Sequence, residues 1–113
     1  MYSNPQKLSS NDVLELRREA GRWLKDLRER RGLSQRAIAE RVGAEYYTFI
    51  SQIEAGRGRI PPDRYAAWAG ALNVEPKFLV RTLLRYYDPV TYKILFGDEK
   101  CESGEDLARA EMS

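Results

Sequence analysis

Residues 32–56 read GLSQRAIAERVGAEYYTFISQIEAG, and this stretch decides the fold. Ser34 is placed to cap a short helix over Gln35–Val42, in which Ile38 and Val42 face inward. Gly43 ends that helix. After a few residues a second helix runs through Phe49, Ile50 and Ile53 to about Glu54, and Gly56 closes it. Two short helices that cross steeply need a small residue where they touch, and Ala39 supplies it. The turn between them needs a backbone position open to positive φ, and Gly43 supplies that. Ile38, Val42, Ile50 and Ile53 fill the wedge, and the outer face of the second helix stays polar.

On the N-terminal side, residues 1–11 read as a flexible polar arm. Ser10 or Asn11 then caps a helix in which Val13, Leu16, Ala20, Trp23/Leu24 and Leu27 recur at steps of three and four. Gly21 lies inside this helix and weakens it, and Gly32 stops it. On the C-terminal side, Arg57-Gly58-Arg59 is a basic, flexible loop. Ile60-Pro61-Pro62-Asp63 starts a fourth helix, whose inner stripe is Tyr65, Trp68/Ala69 and Leu72. Glu75-Pro76 opens a fifth, with Leu79, Leu83 and Tyr86 on one stripe and Val80, Leu84 and Tyr87 on the next. Asp88-Pro89 break it and cap a sixth, Val90–Phe96, which Gly97 ends. Residues 98–113 read as a disordered acidic tail, and no segment has strand periodicity. Leu24, Leu27, Ile38, Val42, Phe49, Ile53, Trp68 and Leu72 are expected in the core.

The 32–56 stretch resembles the helix-turn-helix of the Xre/Cro-type phage-repressor family. The likeness runs from about Trp23 to Phe78. It rests on L-R-x-x-R-G-L-S-Q at Leu27–Gln35 and I-S-x-I-E-x-G at Ile50–Gly56. It implies an all-α, five-helix domain that binds operator DNA as a homodimer, here with an extra short C-terminal helix. Residues 12–74 would form the DNA-binding domain, with the motif at 34–55, and residues 75–97 the dimerising helices. Gly43 to Glu54 is one residue longer than the commonest family spacing, with the extra residue in Ala44–Thr48. Glu45, Tyr46, Tyr47 and Thr48 therefore all remain candidates to face the bases.

The resemblance implies the following roles. Gln35 grips a phosphate and braces the recognition helix, at a helix N-terminus that suits anions. Ser34 and Arg36 are phosphate candidates beside it. Gln52 reads a base edge, since glutamine pairs bidentately with adenine, and Ser51 lies on the same arc. Of Tyr46 and Tyr47, one is expected to reach bases and the other to pack under the turn. Arg57 and Arg59 contact the sugar–phosphate backbone, in a loop that Gly56 and Gly58 let lie close to DNA. Glu54 is structural and pairs with Arg28 on the first helix. On the fifth and sixth helices Val80, Leu84, Tyr87, Tyr92, Leu95 and Phe96 form an outward apolar face, the expected dimer interface.

Composition narrows the alternatives. The chain has 113 residues, enough for one domain, with 42% hydrophobic and 32% charged residues. It contains no histidine, which removes Ser–His and Cys–His pairs, and its one cysteine, Cys101, leaves no usual zinc site. Neither a G-x-x-x-x-G-K-[ST] nor a G-x-G-x-x-G loop occurs. No run is apolar enough for a membrane span or a secretory signal, and a single cysteine can form no intramolecular disulfide, so a reducing cytoplasm is the expected setting. The net charge is +2, but residues 98–113 carry six acids against Lys100 and Arg109, which leaves the rest at +6. A basic body with an acidic tail suits nucleic acid.

The expectation is thus a bacterial or phage-encoded transcriptional regulator, a repressor, that binds a palindromic operator as a homodimer. No enzyme activity, cofactor, metal, membrane or small-molecule ligand is expected. Three rivals remain: the antitoxin of a toxin–antitoxin pair, an interaction module that has lost DNA binding, and a small carboxylate enzyme.

Overall fold

The computed structural model describes residues 10–97, and every regular element among them is helical. α1 spans Ser10–Arg30, α2 Gln35–Val42 and α3 Thr48–Glu54. A 3-10 turn at Pro62–Arg64 leads into α4, Tyr65–Leu72, followed by α5, Pro76–Tyr87, and α6, Pro89–Phe96. Ser10 and Asn11, the last two residues of the expected arm, are helical. The rest of that arm, the acidic tail and Cys101 lie outside the described residues.

Local chemistry sets the helix ends. The Ser34 hydroxyl accepts from the Ala37 N–H at 3.0 Å, which satisfies a donor in the first turn of α2. Gly43 follows α2 at φ 73°, and its N–H returns to the Ala39 and Glu40 carbonyls. The fourth helix starts later than its prolines suggest. Pro62 opens a tighter turn, and the α-helical pattern is established only from Tyr65. The Thr91 hydroxyl and N–H donate to the Asp88 carboxylate and hold it below the usual carboxylate range. That cap starts α6.

The core lies among α1 to α5. Leu24, Ile38, Ile50, Ile60, Trp68, Leu72, Leu79 and Leu83 are almost wholly enclosed. Each such side chain contributes about 1.5–3 kcal/mol on burial. Gly21 has a positive use. A Cβ built there would overlap the Glu54 carbonyl, so the glycine that weakens α1 as an isolated helix lets the end of α3 lie directly on it. Val13 and Leu14 are exposed, so the buried stripe of α1 begins only at Ala20.

Two core expectations change. Phe49 is 49% exposed, not buried. Ile50, Ile53 and Glu54 form the inward face of α3, and Phe49, a 100° step from Ile50, turns outward beside the Tyr46 ring. On α5 the buried residues are Phe78, Leu79, Thr82, Leu83 and Tyr87. The i,i+4 series Leu79–Leu83–Tyr87 runs inward, and Tyr86 is only partly buried. Tyr87, 9% exposed, therefore cannot serve the outward face expected of it. Of the other residues of that face, Val80, Leu84, Tyr92 and Phe96 are half-buried and Leu95 is exposed.

Candidate nucleic-acid interface

The interface starts from a buried ion pair. Arg28, in the last turn of α1, donates from Nε to Glu54 Oε2 at 2.6 Å and from Nη2 to Oε1 at 3.1 Å. Both side chains are buried, and such a two-point fork fixes orientation as well as distance. The third arm of the guanidinium donates from Nη1 to the Leu33 carbonyl at 2.7 Å. Gln35, the first residue of α2, donates from Nε2 to Glu54 Oε1 at 3.1 Å. One carboxylate thus ties the end of α3 to the end of α1 and the start of α2.

What this brace presents is the outer arc of α3. Thr48 and Gln52 are exposed and Ser51 half-buried, its hydroxyl donating to the Thr48 carbonyl at 2.9 Å. Tyr46 and Tyr47 precede α3 rather than begin it. Neither packs under the turn: both are exposed, which corrects the expectation of one buried and one free. The Arg36 guanidinium lies 4.4 Å from the centre of the Tyr47 ring. Tyr46 meets Phe49 edge-on, with ring centres 5.9 Å apart. The result is a polar strip headed by three aromatic rings, with the Arg36 guanidinium on one flank.

The opposite flank is the loop after α3. Arg57 is exposed. Arg59 is half-buried, with its guanidinium 4.5 Å from the centre of the Tyr87 ring and Nη2 donating to Tyr65 Oη at 3.3 Å. The Ile60 N–H donates to Tyr87 Oη at 3.3 Å. Burial pushes the Tyr87 phenol up to about 12, although that hydrogen bond and Arg59 pull the other way. Between this loop and α3 lies a cleft of about 670 Å³, walled by Phe49, Gln52, Gly58, Arg59, Pro61 and Arg64.

Among the described residues no group of acidic or cysteine side chains could hold a metal ion. Nor is any described helix long and apolar enough to cross a membrane. The arrangement offers hydrogen-bonding side chains on a rigid convex helix with arginines on both sides, the surface chemistry that suits a groove between two phosphate backbones.

Sequence reasoning missed Phe49 and the contacts of Tyr65 and Tyr87 with Arg59. Phe49 sits four residues before Ile53, a spacing that equally fits the core. Nothing local links Tyr87 to a loop 27 residues earlier. Residues 24–79 match the family model described as Helix-turn-helix, the Xre/Cro-like type. No curated protein matches the chain.

Proposed function

With residues 24–79 belonging to the Xre/Cro-like helix-turn-helix family of DNA-binding regulators, we propose that the chain is a sequence-specific repressor that binds a palindromic operator as a homodimer. In this reading α3 enters the major groove. Gln52, Ser51, Thr48, Tyr46 and Tyr47 meet base edges, with Gln52 suited to adenine. Ser34, Gln35, Arg36, Arg57 and Arg59 hold the flanking phosphates. The reading gives the chain no catalytic role, and its setting is the bacterial or phage-infected cytoplasm.

The observation that carries this reading is the Arg28–Glu54–Gln35 brace. Its three hydrogen bonds to one carboxylate hold α3 in a single orientation while its outer arc stays open. The homodimer rests on the outer face of α5 and α6, through Val80, Leu84, Tyr92, Leu95 and Phe96. Ile94 and Leu95 are 74% and 57% exposed there. Binding two half-sites of a palindrome would require the two-fold axis to set the two α3 helices about 34–36 Å apart, one turn of DNA.

The test is selection from a random duplex pool followed by footprinting. The reading expects a palindromic consensus, and an affinity that falls on the order of 10³-fold or more from 50 to 200 mM salt. Recovery of no consensus would overturn it. The exposed α6 face also fits an antitoxin, whose toxin would co-purify at stoichiometric ratio.

A further inference from the structure

The loop of Arg57, Gly58 and Arg59 has the composition of a floppy segment, yet one side chain holds it at two consecutive residues. Tyr87 accepts the Ile60 N–H on its hydroxyl and lies beneath the Arg59 guanidinium with its ring, at 3.3 and 4.5 Å. Tyr65 adds a third point, accepting from Arg59 Nη2 at 3.3 Å. Tyr87 is a residue of α5 and lies beyond residues 24–79, which match the family. Tyr65 lies inside that span, so the Tyr87 part of the clamp is what the end of α5 adds beyond it.

We propose that Tyr87 is a positioning residue for DNA binding, one that presets the Arg57–Ile60 loop to receive a backbone phosphate. The proposal rests on the reading of that loop as a phosphate contact. A guanidinium stacked on an aromatic face keeps its N–H donors along its edge. Of five such donors, Arg59 gives one to Tyr65, and others remain in the plane that a phosphate can approach. Ordering a glycine-containing loop and a long arginine side chain on binding costs affinity, and a loop already ordered avoids that cost. The clamp also ties the DNA surface to α6. Asp88, the next residue after Tyr87, caps that helix.

The experiment uses the full chain and three variants, Tyr87→Phe, Tyr87→Leu and Arg59→Ala. The probes are the duplex selected by the wild type and a random-sequence duplex, titrated across 50–200 mM salt. Tyr87→Phe keeps the ring and loses one hydrogen bond, so affinity for both duplexes falls about 3- to 10-fold with the salt slope unchanged. Tyr87→Leu releases the guanidinium, and the salt slope falls by about 1 per subunit, as in Arg59→Ala. In the Arg59→Ala background, Tyr87→Leu reduces the slope no further. A purely structural role lowers the folded fraction, measured by circular dichroism, and leaves the slope alone.

A wild-type slope in folded Tyr87→Leu would overturn the proposal. If Tyr87→Leu does not fold, Tyr87→Phe decides: binding within twofold of wild type per folded molecule overturns the clamp while DNA binding itself stands. A wild-type chain that binds neither duplex overturns the DNA-binding reading and the clamp together.

Discussion

The helix-turn-helix and α6 treat their apolar residues in opposite ways. In α2 and α3, Ile38, Val42, Ile50 and Ile53 are buried and even the charged Glu54 is enclosed, with Phe49 the one large apolar side chain turned outward. In α6 no residue is buried, although Val90, Tyr92, Ile94, Leu95 and Phe96 make it one of the most apolar segments. The difference lies in what faces each helix. α2 and α3 pack against each other and against α4 and α1 respectively, whereas α6 packs on α5. Arg81 and Arg85 of α5 cover Phe96 and Tyr92 with their guanidinium groups, and Ile94 and Leu95 turn away. Burial thus follows the opposing surface rather than the hydrophobicity of the segment. An apolar helix left half-covered is where a partner chain has most to gain.

The sharpest break between the two regions comes from Glu54. Its replacement by alanine removes the buried counter-charge of Arg28 and leaves only the exposed Glu29 carboxylate at 3.9 Å, and such losses cost about 3–5 kcal/mol. Urea unfolding without DNA checks this. An unchanged midpoint would mean that the brace contributes nothing to the fold, and the contrast with α6 would weaken.

A second test sits between the regions, at Tyr87. Its pKa is raised by burial to about 12 from 10.0, so the neutral phenol is the form the fold favours. The stabilisation is complete below pH 10 and is lost as pH rises from 10 to 12, by about 2–3 kcal/mol for a two-unit shift. Tyr87→Phe should flatten this part of the pH–stability profile relative to wild type. At pH 7 the same variant should lose about 1–3 kcal/mol, because the buried Ile60 N–H has lost its acceptor.

Smaller effects sharpen the comparison from the other side. Thr82 is 3% exposed, and its hydroxyl has no hydrogen-bond partner. Thr82→Val keeps the shape and removes a buried polar group, so a gain of about 1 kcal/mol is expected in thermal melting. Leu95→Glu should change monomer stability by no more than about 0.5 kcal/mol, since the side chain is exposed. Combined with Leu84→Glu, it should convert a dimer to a monomer in sedimentation. A wild-type chain that already sediments as a monomer at tens of micromolar would remove the dimer face from the account.

Most of the architecture is legible in the sequence because its signals are local. Ser34, Gly43, Asn73 and Pro76 punctuate helices wherever they stand, and the steps of Ile38/Val42 and Ile50/Ile53 define faces without reference to the rest of the chain. Two kinds of feature were not legible. Phe49 and Tyr87 each sit at a helix position that fits either of two faces, and only packing chooses between them. The Arg59–Tyr65–Tyr87 cluster depends on how α5 crosses the loop, which no local pattern encodes. Gly21 illustrates the same limit: its cost to the helix is visible in the sequence, and its close approach to Glu54 is not.

The central claim is that α3 reads DNA through its outer arc, and base-by-base competition with Gln52→Ala tests it most directly. The duplex selected by the wild type is varied one base pair at a time, and affinities of wild type and variant are compared at fixed salt. Gln52→Ala should lose about 1–3 kcal/mol of discrimination at one base pair per half-site and none elsewhere. A variant that matches wild type at every base pair, with full operator affinity, would contradict it and place the DNA on another face.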